Sequence, residues 1–127
     1  MPENRPTLEA LLDGVAGLTL YRVQMHPTER FAAENSREVL HRHLLWLLDL
    51  QRRGTLFLCG PVGWGDGWDG SGMGVLRAGS LEAARALAEQ EPYHAAGLRR
   101  NEVESWTVNE GSLTVRVDLL EGSGSLS

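Results

Sequence analysis

Cysteine is nearly missing from this chain: Cys59 is the one thiol in 127 residues. That excludes an intrachain disulfide and a cysteine-built metal cluster, and it fits a reducing cytosol. Basic residues are in the minority. The formal net charge is −5 at pH 7, and no basic cluster offsets it. Nucleic acid and anionic membrane surfaces are therefore not expected partners, since both are bound by neutralising phosphates. The N-terminus lacks a basic stretch followed by an apolar run, so no signal peptide is expected. No apolar segment is long enough to span a bilayer. What is present is an ordinary globular composition, 42% hydrophobic and 23% charged. The length suits one cytoplasmic domain with one modest core.

Periodicity divides the chain into elements. Met1–Arg5 reads as disordered, and Thr7–Asp13 as a short helix capped by Thr7 and stopped by Gly14. Leu18–Met25 reads as a strand ended by His26-Pro27. Ser36–Arg53 is the clearest helix, with Asn35 and Glu38 as a capping box and Gly54 as the stop. Its Leu40, Leu44, Leu47 and Leu48 form an apolar stripe. Thr55–Cys59 reads as a buried strand, Gly63–Gly72 as a glycine-rich mobile loop and Met73–Ala78 as a third strand. Ser80 caps a second helix with Leu81, Ala84, Leu87 and Ala88 on one face, and Pro92 closes it. Val103–Val108 is a fourth strand, and Asn109-Glu110-Gly111 a turn. Leu113, Val115, Val117 and Leu119 alternate with polar residues, so a fifth strand buries one face. Gly122–Ser127 reads as a flexible tail.

Without the first short helix the order is βαββαβ plus one strand. It predicts an α+β, ferredoxin-like sheet with two helices on one face. Apolar side chains on both faces of Thr55–Cys59 leave the other face in need of cover. A second copy of the sheet supplies it, so a homodimer or higher homo-oligomer is expected.

Few residues can carry chemistry. The helical neighbours of His43 are Val39, Leu40, Trp46 and Leu47, so its imidazole lies in the apolar stripe and needs partners for its nitrogens. It either lines a cleft or is a satisfied structural residue. Glu91 falls at the C-terminal end of the second helix, where the macrodipole disfavours an anion. Such a carboxylate invites a partner, and His43 is the candidate. Gly65-Asp66-Gly67-Trp68-Asp69-Gly70 matches GxGxxG, but a strand follows it instead of a helix N-terminus, so it is no dinucleotide site. Nor is it an EF-hand, because Arg77 stands where the closing glutamate belongs. Trp64 and Trp68 in this loop are placed to cover a cleft or a subunit contact. His41 and His43 point to different sides of the helix, so no metal is expected. Cys59 reads as inert packing.

Several segments together resemble the YciI-like (YCII-related) family: His43–Leu47, Gly54–Pro61, Ser80–Leu87, Glu91-Pro92-Tyr93 with Ala96-Gly97-Leu98, and Val103 with Trp106. The resemblance runs from about Leu18 to Val108. It implies a ferredoxin-like α+β fold assembled as a dimeric α+β barrel. It also implies a site built from the helix histidine and the acid before proline, here His43 and Glu91. The family usually has aspartate before that proline, so Glu91 is a departure. Relatives with assigned chemistry transfer protons on ring compounds, as dehydrochlorinases and the similar muconolactone isomerases do.

The domain is thus expected at residues 18–120, after an extension at 1–17 and before a tail at 121–127. The expected activity is cofactor-free acid–base chemistry by His43 and Glu91 on a small molecule. Trp46, Gly60, Pro61, Tyr93 and Trp106 are the expected substrate-binding residues. A non-catalytic small-molecule-binding or regulatory module of the same fold is the alternative.

Overall fold

The computed structural model describes residues 5–118 and 123–126. The chain divides into two compact units, Thr19–Thr107 and a second formed by Met1–Leu18 with Val108–Ser127.

The larger unit carries the sheet. Its strands are β1 (Leu18–Pro27), β2 (Leu56–Pro61), β3 (Gly72–Leu76) and β4 (Arg99–Val108), in the order β2-β3-β1-β4. β3 runs antiparallel to both β1 and β2. This is the ferredoxin-like order. Register sorts the side chains onto two faces, because alternate residues of a strand point opposite ways. Tyr21 pairs with Leu76 and Val23 with Gly74, while Arg22 pairs with Val75 and Gln24 with Met73. Tyr21, Val23, Met25, Leu76 and Val103 form the inner core with Leu50, Ala84 and Ala88 from two helices.

Those two helices are α3 (Arg37–Arg52) and α4 (Leu81–Glu89); before α3 come α1 (Leu8–Asp13) and α2 (Phe31–Glu34). Ser80 caps α4 by accepting from the Ala83 N–H at 3.1 Å. The cap of α3 is Ser36, which accepts from the Val39 N–H, and not Asn35. Asn35 instead ends α2, a single turn that hydrophobic periodicity does not announce. Leucines surround α3 on several sides, so counting periods finds more than one stripe. The line that faces the interior runs through Val39, His43, Trp46 and Leu50. Leu40 and Leu44 of the expected stripe stay 43% and 52% exposed.

α4 ends at Glu89, and a further turn, α5 (Pro92–Ala95), follows at once. Pro92 therefore opens a helix where it was expected to close one, because a proline at the first helical position loses no hydrogen bond.

The smaller unit differs from expectation. Thr7 caps α1 as anticipated, accepting from the Ala10 N–H. The Ala16 N–H donates to the Asn109 carbonyl and the Gly17 N–H to Asn109 Oδ1. The fifth strand, β5 (Val115–Asp118), does not join the main sheet. It pairs antiparallel with β6 (Ser123–Leu126), in the stretch read as a flexible tail. Leu113 and Val115, two of the four residues expected on a buried face, are exposed. Residues 1–4, 119–122 and 127, including Leu119, lie outside the described residues. Among the described residues, no helix is long and apolar enough to cross a membrane.

Candidate functional site

His43 sits near the middle of α3 and is 7% exposed. Its Nδ1 lies 3.8 Å from Glu91 Oε2, within ion-pair range but longer than a hydrogen bond. Among the described residues Nδ1 has no other partner. The ring stacks against Trp46 with centroids 6.2 Å apart and tilts against Tyr93 at 5.2 Å.

Glu91 is fully buried, and its setting is not the one read from the sequence. It is the N-cap of α5, so its Oε2 accepts from the backbone N–H groups of Tyr93 and His94. These are donors that a helix start leaves unpaired. Its other oxygen, Oε1, takes Arg99 Nη1 at 3.4 Å. Burial pushes the carboxyl pKa up; His43, Arg99 and the Tyr93 N–H together outweigh it and hold the group below the ordinary value. Glu91 is thus an ionised, interior carboxylate with His43 and Arg99 beside it.

Arg99 was not singled out in the sequence. It opens β4 in phase with Val103, so alternation turns it inward, and it is 5% exposed. Its Nε donates to the Gly70 carbonyl at 2.9 Å, and Nη1 also approaches Met25 Sδ at 3.6 Å. Its guanidinium lies 4.5 Å from the Tyr93 ring centroid and 5.4 Å from that of Phe31. Such stacking on aromatic faces suits a weakly hydrated cation. Gly70 makes this possible: its φ is +100°, and a Cβ there would stand 2.5 Å from Phe31 ring atoms. The last glycine of the rejected GxGxxG motif therefore brings a backbone carbonyl to the arginine.

His43 and Arg99 border a cavity of about 450 Å³, large enough for a small ligand; Glu91 lies behind them, outside its lining. Leu40, Leu44 and Leu47 of α3 form one wall, which explains why that stripe is not packed away. Gly60, Pro61 and Tyr93, three of the expected substrate-binding residues, line it, and so do Trp64 and Trp68 of the loop. Trp46 packs against the main core instead, and Trp106 is 45% exposed; neither lines the cavity. A tryptophan's size predicts burial or contact, but the helix or strand face it occupies decides where. Asn35 also lines the cavity and accepts from the Tyr93 hydroxyl at 2.8 Å. Burial pushes the Cys59 thiol on the cavity wall up to about 11, which keeps it protonated and a poor nucleophile. Among the described residues, no group of three or more His, Cys, Asp or Glu side chains is arranged to hold a metal.

The profile of the YCII-related domain matches residues 19–107. That span covers most of the chain and coincides with the larger compact unit, so the chain belongs to the YCII-related family. Among solved structures, it is similar to 5-chloro-2-hydroxyhydroquinone dehydrochlorinase (TftG) from Burkholderia phenoliruptrix AC1100, in complex with 2,5-dihydroxybenzoquinone. The TM-score is 0.55 at 20% identity, covering 68% of this chain and 92% of that one. This likeness defines the fold. No curated protein matches the chain.

Proposed function

We propose that this protein is a small-molecule enzyme that transfers protons on a ring compound, with His43 as the general base and acid. The observation that carries this reading is a buried, ionised carboxylate 3.8 Å from a nitrogen of His43 that has no other partner among the described residues, in a ring that lines a ligand-sized cavity. A carboxylate at Nδ1 fixes the tautomer, leaves Nε2 to face the substrate and stabilises the imidazolium once a proton is taken up. In an isomerisation, His43 removes a proton from one ring carbon and returns it to another. In an elimination, His43 takes the proton, its bonding pair becomes the new double bond, and the leaving group departs with its own pair. Both need no cofactor. The similar fold of a dehydrochlorinase acting on a chlorinated hydroxyhydroquinone favours substituted hydroquinones and quinones as the first compounds to screen.

His43→Ala is expected to lower turnover of the substrate so found by about 10²–10⁴-fold, the usual contribution of positioned acid–base catalysis. Unchanged turnover would sink the reading.

One observation favours the non-catalytic alternative. At 3.8 Å the histidine contact is loose, whereas Glu91 is firmly engaged by α5 and Arg99. A ligand retained without conversion over many hours by the wild-type protein would support that alternative.

The protein is further proposed to be a homodimer joined through the outer sheet face. Leu58 and Met73 are exposed there, in register positions opposite to the helix-covered core, and exposed Trp106 alternates onto the same face, out of phase with buried Val103. Light scattering on wild type and on Trp106→Glu checks this; a monomeric wild type would exclude it.

A further inference from the structure

Proton transfer uses the histidine and the carboxylate, but it leaves the arginine unexplained. Arg99 commits Nε to the Gly70 carbonyl, and Nη1 to Glu91 and the Met25 sulfur. Among the described residues, Nη2 donates to nothing, although the side chain is 5% exposed and lines the cavity. The space beside it is kept open by glycine. A Cβ at Gly72 would stand 3.7 Å from Nη2 and 3.3 Å from Met25 Sδ, on a residue that itself lines the cavity. A buried guanidinium with an unused donor is a strong attractor for an anionic oxygen, because hydrogen bonds between charged partners are about twice as strong as neutral ones.

Charge development points the same way. Arg99 and Glu91 balance each other, and a proton passing from a ring to His43 leaves the matching negative charge on the ring. An oxygen of the ring that carries this charge is stabilised by the Arg99 guanidinium. His43 and Arg99 face the two different oxygens of one carboxylate, with the Tyr93 ring against both. A single planar ligand can therefore meet both.

We infer that the cavity takes ring compounds bearing an ionised oxygen, with that oxygen on Arg99 Nη2 and the reacting position toward His43. Phenolates, enolates of hydroxyquinones and ring carboxylates share this chemistry. The orientation toward His43 rests on the proposed proton transfer; the oxyanion contact does not.

The test is a pair of titrations followed by quenching of tryptophan fluorescence, since Trp64 and Trp68 line the cavity. One probe is 2,5-dihydroxybenzoquinone, a vinylogous acid that is ionised at neutral pH. The other is its dimethyl ether, which has the same ring and no acidic hydroxyl. Wild type is expected to prefer the anion by about tenfold or more, the worth of one charge-assisted hydrogen bond. The double variant Arg99→Gln/Glu91→Gln removes both charges together and so keeps the interior neutral; it should lose the preference. Should that variant fail to fold, Gly72→Ala leaves every charge in place, narrows the space beside Nη2 and should weaken the anion more than the ether.

Equal binding of the two probes by wild type, or binding of neither, overturns the inference, as does a preference that survives in the variants. His43→Ala separates the two proposals. If it retains both turnover and the anion preference, the acid–base reading falls and the oxyanion site stands. If wild type turns over a neutral ring and ignores the anion, the reverse holds.

Discussion

Two of the ion pairs in the larger unit teach opposite lessons. Arg22–Glu104 lies on the outer face of the sheet, with side chains 36% and 51% exposed. Arg99–Glu91 lies inside, with neither partner more than 5% exposed. Water already solvates the first pair, so forming it changes little. The second pair has given up nearly all of its water, and each member depends on the other and on backbone dipoles. A surface pair decorates a fold; an interior pair can set the charge of a cavity. The same contrast separates the sequence signals, since charged residues at both positions look alike until their strand faces are known.

The comparison can be broken by mutation, beginning with the interior. Arg99→Met strands a buried carboxylate and should cost about 3–5 kcal/mol of unfolding free energy, read from urea denaturation. A loss below 1 kcal/mol would mean that water reaches Glu91 after all. Leu50→Ala, at a site of complete apolar burial, should cost about 2–5 kcal/mol by the same assay. It calibrates how much of the interior's sensitivity is packing and how much is charge.

The acid limb of stability sharpens the contrast further. Glu91 has a native pKa below its ordinary value, so the unfolded chain binds the proton more readily. Its contribution is therefore complete above the unfolded carboxyl pKa near 4.5 and is lost as pH falls through the lower native value. Melting temperatures measured downward from pH 6 should fall less steeply in Glu91→Gln than in wild type. Identical slopes would show that other carboxylates dominate acid unfolding. The smallest effect is expected at the outer pair: Glu104→Gln should change stability by about 0–1 kcal/mol, and salt should diminish even that.

Much of the sheet was legible because its strands and helices are short, periodic and punctuated. Ser80 before Leu81–Glu89 and Gly54 after α3 announce helix ends by their chemistry. His43 was legible because a polar residue among Val39, Trp46 and Leu47 contradicts its surroundings. Other features needed tertiary information. The leucines of α3 allow several stripes, and only the position of the sheet selects Leu50 for the core. Glu91 was found for the wrong reason, as an acid at a helix end, because α4 and α5 abut with one residue each for cap and break. Arg99 was missed because its meaning comes from Gly70, twenty-nine residues earlier in the chain. Its one local signal was alternation with Asn101 and Val103. The strand at Ser123–Leu126 had no apolar pattern to betray it.

Glu91 Oε2 caps a helix and flanks His43 with the same atom. Fold and chemistry at this position are thus not separately adjustable. A shorter acid would have to move either α5 or the neighbourhood of the imidazole, so a change between aspartate and glutamate here is a change in backbone placement as well as in reach. Variation at this site should come in concert with the turn that follows it: the acid, Pro92 and Tyr93 form a single heritable part, and substituting the carboxylate alone exchanges only a piece of it.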